Sequence, residues 1–458
     1  MKLKDKRVLV LGLGASGMSM ARWLARRGAQ VRVADTRPEP PFADALRAEL
    51  PGVELHLGVL REESFADVTT IAISPGVPLS EPQVQKARAR GVAVLGDIEL
   101  FARIRDEFAE VKVIAITGSN GKSTVTEMVG AMCRAASTRT LVAGNIGLPI
   151  LDAISDIDAG RRRKPDVFVL ELSSFQLETT QTLDADAAAV LNLSEDHLDR
   201  YAGIREYAEA KSRIFFGTGV QVLNRQDPWT RQMTQPGRCA FTFGLDQPDS
   251  DRDWGLRSAQ GETWLAQGNE LLLRVSELKV AGMHNAANAL AALALCRAVR
   301  LPYPPLLDAL RAFDGLPHRV QPIAEIGNVT FIDDSKGTNV GATVAALDGM
   351  PQKVVAILGG DGKGQDFAPL KEPVARRARA VVLIGRDAPR IAAAIAGCGV
   401  AVEQAQNMDD AVQRAYALAQ PGDAVLLSPA CASFDMFDNY EHRAQTFVEA
   451  VRSLEAKH

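Results

Sequence analysis

The chain has few cysteines, and they form no pattern. Five of its 458 residues are Cys (Cys133, Cys239, Cys296, Cys398 and Cys431), and no two stand in a CxxC spacing. That spacing gives no disulfide framework and no thiolate zinc motif, and the odd, scattered count suits free thiols in a reducing compartment. An excess of positive charge is missing as well. There are 52 Lys and Arg against 56 Asp and Glu, for a formal net charge of -4, which is not a nucleic-acid footprint. The one tight basic run, Arg161-Arg162-Arg163-Lys164, precedes a proline and a predicted strand and reads as a solvated loop. No stretch approaches the ~18 apolar residues that span a bilayer. The first apolar run is short and leads into a glycine turn, not a cleavage site. Low-complexity tracts and short-period repeats are also absent. The expectation is a soluble cytoplasmic monomer acting on small molecules, without nucleic acid and without membrane insertion.

What the chain does have is regular alternation. Apolar runs at residues 8–11, 31–34, 113–116, 167–170, 188–193, 329–332, 354–358, 381–384 and 424–427 alternate with helix-like segments. This predicts an α/β protein built on parallel sheets covered by helices. At roughly 150 residues per domain the length suggests about three domains. Boundaries near residues 100–111 and 313–320 divide the chain into 1–100, 101–313 and 314–458. A polar stretch at 246–260 reads as an exposed loop. In open α/β sheets ligands gather at the carboxyl ends of strands, so the polar residues closing these runs are the candidates for chemistry.

Gly12, Gly14 and Gly17 form G-x-G-x-x-G directly after the first run, and Asp35 closes the second. The glycines allow a tight turn, close approach to a phosphate and close helix–strand packing, and the helix N-terminus favours a diphosphate. The motif leaves the nucleotide open: a nicotinamide cofactor or any other nucleoside diphosphate fits, with Asp35-Thr36-Arg37 at the same strand end. A second loop, Thr117-Gly118-Ser119-Asn120-Gly121-Lys122-Ser123-Thr124, follows residues 113–116. It precedes a helix with Val125, Met128, Val129 and Met132 on one face. Its G-x-x-G-K-S is two residues shorter than the usual phosphate loop, yet strand, loop and helix are in order. Its N–H groups suit phosphate oxygens, Lys122 the terminal phosphates and Ser123 a Mg²⁺ ion. Downstream, Glu171 ends a run beside this loop, a common position for a Mg²⁺ ligand. His197 stands among acidic residues after another run, and Lys211 follows on a predicted helix. A nicotinamide-dependent oxidoreductase, the rival from another class, has no use for the second loop. A non-catalytic nucleotide-binding protein has none for Glu171 and His197.

The chain resembles the Mur ligases. The resemblance rests on GSNGKS (118–123), GNIG (144–147), ELSSFQLE (171–178), SEDHLDRY (194–201), GMHNAAN (282–288), GLPHR (315–319), DDSKGTN (333–339), LGGDGKGQDF (358–367) and SPACASFDMF (428–437), in that order. The last two most resemble the branch that adds D-glutamate to UDP-N-acetylmuramoyl-L-alanine; another amino-acid ligase of the superfamily is the nearest alternative. The resemblance implies a Rossmann-like N-terminal domain for UDP, a central P-loop ATPase-like domain, and a Rossmann-like C-terminal domain for the amino acid. It implies that Ser16, Asp35, Thr36, Arg37 and Gly76 contact UDP, and that Asn145, Ser173 and His197 lie along the muramoyl-alanine part. It assigns ATP to the loop residues 118–124 with Asn285, Asn288, Arg319 and Asp334. Two Mg²⁺ ions fall to Ser123, Glu171, His197 and Lys211, the last as a carbamate. Glutamate falls to Lys336, Thr338, Lys363 and Ser433, with Tyr440 nearby. Cys431, inside SPACASF, reads as packing, since nothing close in sequence activates a thiolate.

Overall fold

The computed structural model describes residues 3–280 and 282–457. Its strands form three sheets, each with helices packed on it. The first is wholly parallel, in the order Glu54–Leu57, Gln30–Asp35, Arg7–Leu11, Thr70–Ile73 and Ala93–Leu95. The strand order reverses at Arg7–Leu11, so a crevice opens at its carboxyl end, where the glycine turn lies. The second sheet has nine strands. Its Lys112–Thr117 strand lies between Val167–Glu171 and Ala187–Val190, both parallel to it. The phosphate loop therefore leaves from a second switch point. The third sheet has six strands, parallel except for Gln321–Ile326 at one edge.

All nine apolar runs lie in or overlap strands. Two expectations need correction. The run at 188–193 keeps ladder pairing only to Val190, because Leu191–Leu193 bend away toward the phosphate loop. The stretch at 246–260 is loop only in its first half. Asp253–Ala259 is a strand, joined antiparallel to Glu262–Gln267 and through it to Glu270–Arg274. Its apolar residues are few, but Trp254 is fully buried against Phe241, which outweighs the polar neighbours. Among the described residues no helix is long and apolar enough to cross a membrane, and Arg161, Arg162 and Arg163 are exposed as expected.

The segment after the first sheet is not a loose tether. Phe101 and Phe108 are buried, and both rings meet Phe168 of the second sheet edge-on, at 5.3 and 5.6 Å between centroids. Asp97 accepts from Gln176, and Glu99 accepts from the backbone of Gln181 and Thr182. One apolar core thus runs from Val8 and Val10 through to Val113 and Phe168.

Candidate active site

At the first sheet, glycine is required for packing. A Cβ on Gly17 would stand 1.8 Å from the Gly12 carbonyl oxygen, while one on Gly14 meets nothing within 4 Å. Asp35 is buried and already saturated. Its Oδ1 accepts from the Arg37 backbone and Nε, and its Oδ2 accepts from Leu13 N–H and Arg37 Nη2. These bonds offset the burial that would raise its pKa and hold the carboxyl below the usual range. Asp35 therefore fixes the glycine turn and Arg37, and a ribose could bond it only by displacing Arg37. Thr36, Arg37 and Gly76 are exposed at this mouth and Ser16 is half-buried.

The second switch point gathers most of the predicted chemistry. Gly121 has φ +80 and a Cβ there would strike Asn288 at 2.6 Å, so the loop needs glycine before its helix Lys122–Ala135. Asn192 accepts from Ser119 N–H through its backbone oxygen, at 2.9 Å, and from Asn120 N–H through its side chain, at 2.8 Å. This brace was not visible in the sequence, where Asn192 belonged to an apolar run. Lys122 donates to the Gly118 and Ser119 carbonyls, both at 2.9 Å. Lys211 donates to the same Gly118 carbonyl at 2.9 Å and to Thr117 Oγ1 at 3.2 Å. Burial, with Lys122 close by, pushes the Lys211 ammonium far below the lysine range, against the pull of Asp196 and Glu171. Lys211 is thus held in the loop by two hydrogen bonds, where burial disfavours its ammonium form.

Glu171 takes Asn145 Nδ2 on Oε1 at 2.8 Å, whereas its Oε2 is buried with no partner. A buried carboxylate oxygen without a donor is costly unless a cation fills the gap. His197 stacks edge-on to Phe175 at 4.7 Å and has φ +55. Burial pushes its pKa down to about 4, with Lys363, Lys122 and Lys211 adding to the effect and Asp196 opposing it. The imidazole is neutral at pH 7 and can serve as a metal ligand. Among the described residues no three His, Cys, Asp or Glu side chains cluster as a ready metal cage. The donors available are one carboxylate, one hydroxyl, one imidazole and the Lys211 amine. Ser173 caps the helix Ser174–Leu177 in a reciprocal box with Gln176.

The third sheet closes over this point. Arg319 reaches Ser123 Oγ at 3.4 Å, Asn339 donates to Asn120 Oδ1 at 3.0 Å, and Lys363 pairs with the buried Asp196. Between the sheets lies a cavity of about 330 Å³, lined by Asn285, Asn288, Arg319 and Asp334 together with Asn120, Gly121 and Thr124. All four ATP candidates from distant parts of the chain meet there. Burial raises the Asp334 carboxyl to about 7, against the pull of Ser428, which donates to it at 2.6 Å, and of Arg319. Lys336 lies 5.0 Å over the Tyr440 ring, and burial lowers its pKa. Thr338 follows in the same loop and Ser433 is buried. Arg443, which no motif in the sequence singled out, is fully buried. It donates to Ser335 and to the Cys431 carbonyl, tying the two loops together. Cys431 itself is buried and its pKa is pushed up to about 12, which suits packing rather than nucleophilic work.

Comparison with known proteins agrees with this three-sheet arrangement. Three family models match in order: the Mur ligase MurD-like N-terminal domain at 6–96, the Mur ligase middle domain at 116–296, and the Mur ligase glutamate ligase domain at 318–431. The chain belongs to the Mur ligase family. Among its relatives are proteins of Methylobacillus flagellatus and Nitrosospira multiformis, 59% and 58% identical. Both matches cover 100% of this chain, with 99% and 97% of the relatives. Both relatives are named UDP-N-acetylmuramoylalanine–D-glutamate ligase. Two solved Mur-type structures share the fold at a TM-score of 0.61 each: the UDP-N-acetylmuramate–alanine ligase of Thermotoga maritima (20% identity) and a type C pseudomurein peptide ligase of Methanothermus fervidus (19%). Each match covers 98% of this Mur ligase chain, with 99% and 100% of the respective structures.

Proposed function

We propose that this Mur ligase joins the amine of D-glutamate to the alanine carboxylate of UDP-N-acetylmuramoyl-L-alanine, consuming ATP and releasing ADP and phosphate. The full-length relatives of that name support the substrate choice. The observation that carries the reaction type is the cavity between the phosphate loop and the third sheet, closed by Arg319 on Ser123. A carboxylate repels nucleophiles and has no good leaving group. Attack of the alanine carboxylate on the γ-phosphorus forms an acyl phosphate and releases ADP. The glutamate amine then adds to the acyl carbon, and the C–O bond to phosphate breaks. Phosphoryl transfer depends on positioning and charge neutralisation. Lys122, already buried in the loop, and Arg319 supply both. Closing the site keeps water from the acyl phosphate.

In this reading ATP lies among residues 118–124, Asn285, Asn288, Arg319 and Asp334. The UDP part lies along Ser16, Asp35, Thr36, Arg37 and Gly76. Asn145, Ser173 and His197 line the muramoyl-alanine part. Lys336, Thr338, Lys363, Ser433 and Tyr440 hold glutamate, whose two carboxylates need cations and hydroxyls. Magnesium fits the unpartnered Glu171 oxygen, and Ser123, His197 and a carbamate on Lys211 are the further donors for two ions, which would neutralise phosphate charge. Burial shifts Lys211 toward the neutral amine, the form that reacts with CO₂. ¹³C-labelled bicarbonate should therefore give a carbamate resonance that Lys211→Gln lacks, and identical spectra would remove this modification from the reading.

The test of the whole is phosphate release from ATP with UDP-N-acetylmuramoyl-L-alanine and either D-glutamate, L-glutamate or no amino acid. Release that requires D-glutamate and falls at least ~100-fold in Lys122→Ala is expected. Release with L-glutamate alone would point to another branch of the superfamily, and no release would reject the substrate.

A further inference from the structure

One imidazole in the third domain is arranged for proton transfer and has no part in the reading so far. His318 Nδ1 lies 2.7 Å from Oδ2 of Asp333, a carboxylate at 0% exposure whose Oδ1 accepts from Ser335 N–H at 2.9 Å. A carboxylate bound in this way takes a hydrogen from Nδ1, so the neutral ring keeps its lone pair on Nε2. The ring is partly open, its side chain 29% exposed. The backbone holds it at φ +62, the left-handed region that a non-glycine residue seldom adopts.

The position matters as much as the pairing. The next residue, Arg319, reaches Ser123 of the phosphate loop. The His318 carbonyl accepts from Lys336 N–H at 3.2 Å, and its ring meets the Tyr440 ring edge-on at 6.2 Å, with Lys336 Nζ over the same ring. His318 therefore stands between the phosphate-binding loop and the residues proposed for glutamate. Glutamate arrives as an ammonium, which has no lone pair, and the second step of the proposed reaction requires a free amine.

We propose that His318, oriented by Asp333, is the general base that takes the proton from the glutamate ammonium. This rests on the ligase reading above. The proton passes from nitrogen to Nε2, and the Asp333 carboxylate stabilises the imidazolium that forms. The freed lone pair attacks the acyl carbon, the carbon–oxygen bond to phosphate breaks, and inorganic phosphate leaves with that electron pair and takes up the second proton that the nitrogen sheds as the amide forms. The titratable groups that meet the ring are Asp333, paired with Nδ1, and Tyr440, edge-on to it; Lys336 lies over the Tyr440 ring, Asp334 accepts from Val320 N–H two residues along, and Arg319 is the next residue.

The experiment uses the full chain with UDP-N-acetylmuramoyl-L-alanine, ATP and Mg²⁺, and two alternative nucleophiles. Hydroxylamine is neutral at pH 7 and needs no base, so hydroxamate formation reports the acyl phosphate alone. D-glutamate needs the base. In His318→Gln, hydroxamate formation should stay within about twofold of the unaltered protein. Glutamate ligation at pH 7 should fall about 100-fold or more, as loss of a general base does, and the deficit should shrink as pH rises and free amine becomes abundant. Asp333→Asn, which keeps shape but loses control of the tautomer, should show the same split more weakly. Equal loss with both nucleophiles, or ligation unchanged in His318→Gln, would overturn the assignment. Absence of hydroxamate from the unaltered protein would instead overturn the ligase reading, and the base with it.

Discussion

His197 shows how one side chain links the site to the stability of the fold. Its folded pKa of about 4 lies below the ordinary histidine value of 6.5, chiefly because it is buried. Below pH 6.5 the unfolded chain binds a proton that the folded chain refuses, so stability falls as pH drops from 6.5 towards 4. The contribution is fully present above 6.5 and lost through that window. At about 1.4 kcal/mol per pH unit the effect is capped near ~3 kcal/mol, and the one-third exposure of the ring lowers it further. His197→Gln removes the titrating group. Its urea-unfolding free energy should gain on that of the unaltered protein by about 1–3 kcal/mol between pH 6.5 and 4.5. Parallel pH curves for the two proteins would show that the imidazole titrates normally. The same scale marks what a sequence can show. Lys122, Glu171 and His197 were legible because each closes or follows an apolar run. Asn192, Asp196 and Arg443 were not, because their work depends on partners more than 70 residues away or on burial that composition hides.

Strands with continuous apolar runs were legible because burial on both faces leaves no other composition possible. The strands at Glu54–Leu57 and Ala93–Leu95 were missed. Each is short, at the edge of the first sheet, and only partly buried. The strand Asp253–Ala259 was missed because one tryptophan carries most of its burial. The glycine turn divides by element rather than by motif. Gly17 is where helix Ala15–Arg26 meets the first strand, and a Cβ there collides with backbone, which cannot yield. Gly17→Ala should cost at least ~3 kcal/mol in urea unfolding, the upper part of the range for overpacking. Gly14 has open space and φ -90, so Gly14→Ala should cost under ~1 kcal/mol while weakening binding of the UDP substrate. Equal destabilisation by the two would mean that the helix shifts to accept a methyl group.

At the scale of the whole molecule, the third domain is held shut by few bonds. At the site, Arg319 to Ser123, Asn339 to Asn120 and Asp196, and Lys363 to Asp196 cross that gap, and an exposed Lys279–Asp314 pair joins the domains at their boundary. The Lys363–Asp196 contact is an ion pair, and both its groups are largely buried. Breaking a buried pair by neutralising one partner typically costs about 3–5 kcal/mol, because the other charge is left without compensation. An open domain escapes that cost by returning Lys363 to water. Each 1.4 kcal/mol is tenfold in a conformational equilibrium, so a loss of even 3 kcal/mol moves the closed-to-open ratio about 100-fold. Asp196→Asn keeps the shape and the His197 N–H contact while removing the charge. In X-ray scattering the nucleotide-free variant should show a larger radius of gyration than the unaltered protein, and ATP with Mg²⁺ should restore the difference in part by bridging the phosphate loop and Arg319. An unchanged radius would show that packing between the second and third domains, and not this ion pair, keeps the site closed. In the variant, glutamate would then meet a Lys363 released from its ion pair inside a closed site.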